Sequence, residues 1–255
     1  MPKITTDLSK KACFRSTLPC WQATVLTLFP EMFPGPLEHS LAGKSLLEGI
    51  WTLKKLDIRA FARDKHQTVD DAPLGGGGGM VLKPDVVAAA LDAVKRCPGP
   101  RIYLSPRGKV LDQALVHDLV TAKGVVLLCG RYEGVDQRVV DSFNMMEVSV
   151  GDFILSGGET AALTVMDAVV RLLPGVMGKE ASHREESFET GLLEHSQYTQ
   201  PRVWNGIKAP EVLSSGHHRK IAEWRQSEAE KETQRRRPDL WQHHLDRLAL
   251  QKGEK

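Results

Sequence analysis

Three glycine-containing turns are the features of this sequence that most directly suggest a ligand site. They are YLSPRG at 103–108, CGRYEG at 129–134 and VGDFILSGG at 150–158, and each follows an apolar segment with the composition of a buried strand. In α/β sheets, ligands bind beyond the carboxyl ends of the strands. One such turn is more often an ordinary glycine turn, but three of them together favour a binding site.

The glycine spacing argues against two common nucleotide-binding motifs. Gly151 is followed by five other residues before Gly157, which is not the G-x-G-x-x-G pattern of a dinucleotide fold. The segment AGKS at 42–45 resembles the end of a P-loop, but the first glycine of that motif would fall at Glu38. The five glycines at 75–79 are compatible with a ligand-binding loop and with a flexible connector.

Length and charge bound the possible organisation. The chain has 255 residues, 41% of them hydrophobic, and a formal net charge of +2, which suits one large domain with a smaller one. Residues 201–255 hold 12 Lys and Arg against 8 Asp and Glu, so the basic character lies at the C-terminal end. Four cysteines without metal or disulfide spacing favour a reducing compartment. Since no signal sequence or membrane span is recognisable, we expect a cytoplasmic protein.

Strand-like and helix-like segments alternate from Ala23 onward. The segments predicted as strands are ATVLTLF, LDIRAFA, RIYLS, GVVLLC and MMEVSV. The segments predicted as helices are LEHSLAGKSLLEGI, DVVAAALDAVKR, KVLDQALVHDLV, VDQRVVD and GETAALTVMDAVVRLL. This alternation is typical of an α/β domain whose mainly parallel sheet is covered by helices on both faces.

The C-terminal part is predicted to be a small, basic, helical domain. Its helices are expected in HHRKIAEWRQSEAEKETQRR and PDLWQHHLDRLAL, with Pro238 in the first turn of the second. The predicted organisation is a disordered extension at 1–20, an α/β domain at 21–174, a mobile linker at 175–201 and the helical domain at 202–255.

Histidines, tryptophans and arginines of this C-terminal part permit more than one interpretation. Adjacent histidines at 217–218 and 243–244 point about 100° apart on a helix, which favours a solvated basic face over a metal site. Trp204, Trp224 and Trp241 are expected in the domain core rather than stacked on bases. The arginines at 235–237 suit phosphate binding and a solvated helix end equally well.

Six motifs in the same order closely resemble those of the bacterial tRNA (guanine-N1)-methyltransferase family, which modifies the guanosine 3′ to the anticodon. They are LTLFPEMF, HQTVDDAPLGGGGGM, YLSPRGKVLDQ, LCGRYEGVDQRV, SVGDFILSGGE and SQYTQPRVWNG. The resemblance extends from about Trp21 to the end of the chain. It implies a SPOUT fold, in which the α/β domain contains a deep trefoil knot that departs from the usual rule against threaded chains. It also implies a homodimer with active sites between the subunits.

The resemblance further implies that S-adenosylmethionine is the methyl donor, held bent against the bare turns. Glycines would allow the ligand to approach the main chain directly. A divalent cation, Mg²⁺, is also implied, but the sequence does not indicate its ligands. The cofactor-binding residues implied by the resemblance are Tyr103, Leu104, Ser105, Pro106, Gly130, Glu133, Val150, Gly151, Asp152, Phe153, Ile154, Leu155, Gly157 and Gly158.

The implied substrate is a tRNA with guanosine at positions 36 and 37. Asp70, Asp71, Gly79 and Met80 are expected to seat the flipped guanine, and a plain structural role for them is equally open. The family loop often carries a proline where this chain has Gly78, so we expect a looser loop here.

Methyl transfer to guanine N1 requires the removal of the N1 proton, and negative charge then moves toward O6. A carboxylate base and a cationic donor meet these two needs. The family base is an aspartate in a segment ending Asp-Ser-Phe, and this position is Glu186 here, with Glu185 as the neighbouring alternative. Arg171 matches the family arginine beside the reacting guanine.

Two other functions are compatible with parts of the sequence. An RNA-binding protein of the same fold without activity would bind tRNA and transfer no methyl group. A nicotinamide-dependent oxidoreductase would use the glycine turns for NAD, but the missing G-x-G-x-x-G argues against it.

Overall fold

The structure is a computed structural model that describes residues 20–177 and 186–253. The chain divides into two compact units, Met1–Gly178 and Lys179–Lys255. Apart from Cys20, the predicted N-terminal extension lies outside the described residues. The domain bounds expected from the sequence, with a mobile linker at 175–201, stay a prediction.

The first unit is built around a parallel sheet of five strands in the order β2-β1-β6-β5-β7. A separate antiparallel pair is formed by β3 and β4. The parallel sheet confirms the predicted α/β architecture. The strands in chain order are β1 (Trp21–Thr27), β2 (Trp51–Asp57), β3 (Asp70–Asp71), β4 (Val81–Leu82), β5 (Arg101–Val110), β6 (Gly124–Cys129) and β7 (Met146–Ser149).

Helices cover both faces of this sheet. They are α1 (Ser40–Leu47), α2 (Pro84–Ala93), α3 (Gln113–Thr121), α4 (Gln137–Ser142) and α5 (Gly158–Val170). All six residues of β6 are buried, as the continuous apolar run GVVLLC predicts for a strand covered on both sides. Val125 and Leu127 pack in one core with α3 and α5, whereas Val126 and Leu128 pack in the other with α2 and α4.

The predicted strand LDIRAFA is placed too late in the chain. Strand β2 begins at Trp51, and the segment Ile58–Phe61 forms a 3₁₀ turn. The turn begins here because the Asp57 carboxylate accepts a hydrogen bond from the Arg59 N–H at 2.9 Å. The strand is hard to recognise because it lies at the sheet edge, where charged residues such as Lys54 and Lys55 are tolerated and block further pairing.

The second unit is mainly helical, as predicted. It contains a short hairpin, β8 (Val203–Trp204) and β9 (Ile207–Lys208), and two helices, α6 (His218–Arg236) and α7 (Pro238–Gly253). Pro238 is the first residue of α7, where its missing N–H has no cost. Leu193 N donates to Thr233 Oγ1 at 2.8 Å and thereby attaches the segment before the hairpin to α6.

Two predictions for this unit are wrong at single residues. Trp204 is 64% exposed on the hairpin and not in the core, since a two-residue strand has no second layer to cover it. His244, expected on a solvated face, is 8% exposed and stacks on Trp241 with ring centroids 5.5 Å apart. Within the described residues, no helix is long and apolar enough to cross a membrane.

Candidate ligand and catalytic site

The three glycine-containing turns meet at one edge of the sheet. One interrupts β5 and the other two follow β6 and β7, and these strands are parallel neighbours in the order β6-β5-β7. Leu104, at the point where β5 reaches this edge, pairs with Cys129 of β6 and Val148 of β7. The structure therefore brings together the three turns that the sequence analysis singled out.

The first turn is an interruption within β5. Leu104 and Lys109 both pair with Val148, so the intervening residues leave the sheet before the strand resumes. Ser105 Oγ accepts a hydrogen bond from the Arg107 N–H at 3.2 Å and closes this excursion. The side chains of Tyr103, Leu104 and Ser105 are buried, and that of Pro106 is exposed.

Tyr103 supports the second turn from beneath. Its hydroxyl oxygen accepts a hydrogen bond from the Val135 N–H at 3.3 Å, and burial raises the pKa of the phenol. A Cβ atom at Gly130 would lie 3.0 Å from the Tyr103 ring, and one at Gly134 would lie 2.6 Å from its hydroxyl. Packing against Tyr103 therefore favours glycine at both positions independently of any ligand, which the local sequence does not show.

The third turn combines a tight backbone with an exposed apolar surface. A Cβ atom at Gly151 would lie 2.6 Å from the Phe153 ring, and one at Gly158 would lie 2.8 Å from Cys129 Cα. The side chains of Phe153 and Ile154 are 55% and 81% exposed. Val150 and Gly157 are partly buried, whereas Asp152 and Leu155 are exposed. Apolar side chains beside main-chain donors and acceptors suit a ligand with a planar nitrogen-containing ring.

Arg131 links the second turn to the third. Its backbone forms an antiparallel bridge with Gly157, and its Nη1 donates to the Ser156 carbonyl at 3.2 Å. Its Nε lies 2.8 Å from Oε2 of the fully buried Glu159; this contact is an ion pair, because the N–H is not aimed at that oxygen within hydrogen-bonding geometry. Sequence reasoning selected neither residue, although both follow directly after glycines of the quoted motifs.

The glycine-rich loop is attached to the second turn. Asp70 and Asp71 form β3, which pairs with β4, and Leu82 of β4 forms a parallel bridge with Val135. Glu133 N donates to Met80 O at 2.9 Å. The predicted guanine-binding residues therefore lie beside the predicted cofactor turn.

The two residues predicted to be catalytic belong to different compact units. Arg171 follows the last residue of α5, and its N–H donates to the Asp167 carbonyl at 3.2 Å. Glu186 is the first described residue of the second unit and is partly buried. The alternative base, Glu185, lies outside the described residues.

The described residues contain no metal-ligand cluster. Across 20–177 and 186–253, no three His, Cys, Asp or Glu side chains converge closely enough to hold an ion. This part of the chain therefore does not identify ligands for the implied Mg²⁺.

Comparison with known proteins gives a consistent family match. The family model described as tRNA (Guanine-1)-methyltransferase TrmD matches residues 21–243. A tRNA (guanine-N(1)-)-methyltransferase of Rhodospirillum rubrum is 60% identical over 233 residues, covering 91% of this chain and 98% of the relative. The protein of the same name from Chelativorans sp. is 60% identical and covers 87% of this chain and 95% of its own length.

Proposed function

Because this chain belongs to the tRNA (guanine-1)-methyltransferase family, we propose that it transfers a methyl group from S-adenosylmethionine to N1 of the guanosine at tRNA position 37. The observation that carries this proposal is the family match over residues 21–243, a range that includes all three glycine turns and both candidate catalytic residues. The match covers 98% and 95% of the lengths of two relatives, so the proposal extends to the activity for which those proteins are named.

The proposed cofactor site lies at the carboxyl ends of the parallel strands, where the turn within β5 meets the turns after β6 and β7. S-adenosylmethionine, when bound, supplies an activated methyl group on a positively charged sulfur. Main-chain groups of the turns 130–134 and 150–158 bind the adenosine, and the exposed side chains of Phe153, Ile154 and Leu155 exclude water from its ring. The protein atoms packed against Gly130 and Gly158 support this proposal, because they hold these turns in one conformation.

Glu186 and Arg171 are the proposed catalytic residues. Guanine N1 carries a proton and is a weak nucleophile, so a base must remove the proton as the new N–C bond forms. Glu186 accepts this proton, and Arg171 stabilises the negative charge that moves to O6. Strand β3, formed by Asp70 and Asp71, and the following loop with Gly79 and Met80 seat the guanine beside the cofactor turn. The described residues identify no ligand cluster for Mg²⁺, and the roles proposed for Glu186 and Arg171 do not depend on this ion.

We further propose a SPOUT-type knot and a homodimer. One observation supports the knot. After β7, the outermost strand, the chain returns past the neighbouring β5 to the end of β6, where Gly158 N donates to Gly130 O at 2.9 Å. Residues 201–255, with 12 Lys and Arg against 8 Asp and Glu, are the proposed surface for the tRNA phosphates.

The test is a methyl-transfer assay on two tRNA transcripts, one with guanosine at both 36 and 37 and one with adenosine at 36. We expect the first to be methylated at N1 of position 37 and the second to be a poor substrate. Equal activity on both would contradict the substrate assignment. Binding of tRNA without any transfer would identify an inactive RNA-binding protein, and binding of NAD in place of S-adenosylmethionine would identify an oxidoreductase.

A further inference from the structure

A buried carboxylate, that of Glu159, lies next to the turns of the proposed cofactor site. Glu159 is the second residue of α5 and is 0% exposed. Its Oε1 accepts a hydrogen bond from Thr27 Oγ1 at 2.7 Å, and Thr27 is also 0% exposed at the end of β1. Its Oε2 lies 2.8 Å from Arg131 Nε. Glu159 therefore connects strand β1 with the second turn.

The side chain of Arg131 makes several contacts besides the one with Glu159. Its guanidinium carbon lies 4.4 Å from the centre of the Phe29 ring, a cation–π contact. Its Nη1 donates to Ser156 O, and its side chain occupies the space beside Gly157, where a Cβ atom would lie 2.3 Å from Nε. The arginine thus fills the gap between the second and third turns.

Stability alone does not account for this arrangement. Removing two charges from water costs about as much as their attraction returns, so a buried ion pair is often no more stabilising than apolar residues of the same volume. A pair of this kind does, however, fix geometry, because each charge must stay with its partner. The helix N-terminus favours the negative charge of Glu159 in the first turn of α5, which further fixes its place.

We propose that Glu159 is a positioning residue of the cofactor site. Acting through Arg131, it holds the third turn against the second, so that the main-chain groups of 130–134 and 150–158 keep the spacing that S-adenosylmethionine requires. Thr27 orients the carboxylate and belongs to the same device. This inference rests on the proposed function.

The decisive variant is Glu159→Gln, which keeps the shape of the side chain and its acceptor for Thr27 but removes the charge. We expect the Kd for S-adenosylmethionine, measured by calorimetry, to rise by about tenfold or more, within the range of coupling between contacting residues. The Kd for tRNA should change little. Glu48→Gln, which removes an exposed carboxylate 3.8 Å from Lys44 on α1, is the matched control and should leave both constants unchanged.

A second measurement separates positioning from a general loss of stability. In the cofactor-free protein, hydrogen exchange of the Gly158 amide, which bonds to Gly130 O, should become faster in Glu159→Gln while amides of β1 and β6 keep their protection. Arg131→Met should show the same local change, and the double variant should bind the cofactor no worse than Arg131→Met alone. Thr27→Val, which lacks the hydroxyl, should raise the Kd and speed the exchange to a smaller extent. Thr27→Ser, which keeps the hydroxyl, should behave like the wild type.

Each outcome decides between the two proposals. An unchanged Kd and unchanged Gly158 exchange in Glu159→Gln, with a wild type that binds S-adenosylmethionine and methylates tRNA, would overturn the positioning role alone. Additive effects of Glu159→Gln and Arg131→Met would show that Glu159 does not act through the arginine. If Glu159→Gln does not fold, normal cofactor binding by both Thr27→Val and Arg131→Met overturns the inference. A wild type that binds no S-adenosylmethionine would overturn the proposed function, and this inference with it.

Discussion

A Cβ atom at position 79 would lie 2.4 Å from Oε1 of Glu133, so Gly79 and the exposed Glu133 side chain occupy adjoining space. The main chain joins the same segments, because Glu133 N donates to Met80 O at 2.9 Å. The proposed guanine loop and the proposed cofactor turn therefore contact each other through protein atoms, and a change in one is expected to move the other.

Backbone conformation predicts different results for two neighbouring glycines. Gly79 has φ +89°, which residues other than glycine rarely adopt, and a Cβ atom there would displace the Glu133 side chain. Gly79→Ala should therefore lower the free energy of unfolding by about 1–3 kcal/mol and weaken methyl transfer. At Gly78 no atom lies within 4 Å of a Cβ position, and φ is outside the left-handed region. Gly78→Ala should leave stability unchanged or raise it by about 0.4–1 kcal/mol. Urea unfolding measures both, and equal changes in the two variants would contradict the backbone strain assigned to Gly79→Ala.

Tyr103 is expected to control the second turn. Tyr103→Phe keeps the ring but removes the oxygen that accepts the hydrogen bond from the Val135 N–H. Because that N–H is buried and left without this acceptor, the free energy of unfolding should fall by about 1–3 kcal/mol. We also expect weaker S-adenosylmethionine binding, measured by calorimetry. Tyr198→Phe, at a half-exposed site in the second unit, serves as the control for cofactor binding. Full cofactor affinity in Tyr103→Phe would mean that the turn keeps its shape without the hydroxyl.

The proposed base is tested by three substitutions. Glu186→Gln cannot accept the guanine proton, so single-turnover methyl transfer should slow by roughly 10² to 10⁴ while tRNA and cofactor still bind. Glu186→Asp restores the residue that the family resemblance implies and should keep much of the activity. Glu185→Gln should change little. A collapse in Glu185→Gln with a near-normal rate in Glu186→Gln would move the base by one residue.

Mixing two inactive variants tests whether each active site lies between subunits. If Arg171 of one subunit serves the same site as Glu186 of the other, a heterodimer of Arg171→Gln and Glu186→Gln contains one intact site. After exchange of subunits at equal concentrations, activity should recover to about a quarter of the wild-type value, because half of the dimers are mixed and each has one working site. If one subunit supplies both residues, mixing restores nothing. Sedimentation of each variant checks that dimers form.

Replacement of Trp204 and of Trp224 by alanine is expected to have different effects. Trp204 is 64% exposed and stands on a hairpin between Arg202 and Lys208, an arrangement suited to stacking on a base beside phosphates. Trp204→Ala should weaken tRNA binding by roughly 5- to 150-fold, as expected for a stacking contact worth about 1–3 kcal/mol, without affecting cofactor binding or unfolding.

Trp224 provides the control for this prediction. Its ring lies edge-on to His195 and Tyr198 at 6.0 and 6.2 Å, so Trp224→Ala should mainly lower the stability of the second unit. Unchanged tRNA affinity in Trp204→Ala, with a folded protein by circular dichroism, would contradict the stacking role. A loss of dimer in the same variant would assign the hairpin to the subunit interface instead.

Local sequence patterns determined the elements that build the site. The continuous apolar run GVVLLC predicted the buried strand β6, and Pro238 predicted the start of α7, because strand burial and helix initiation depend on residues that are close in the chain. The motif order indicated the family, which the match over residues 21–243 confirms. The roles assigned to individual site residues stay predictions.

Tertiary structure alone decided which residues the turns depend on. Thr27, Arg131 and Glu159 are far apart in the sequence, and nothing in their local patterns shows that they form one buried network. Likewise, Tyr103 and Arg131 occupy the space that a Cβ atom would enter at positions 130 and 157. Such contacts depend on the order of the strands in the sheet. Local patterns in a single sequence do not reveal that order, because strand pairing joins residues that are distant in the chain.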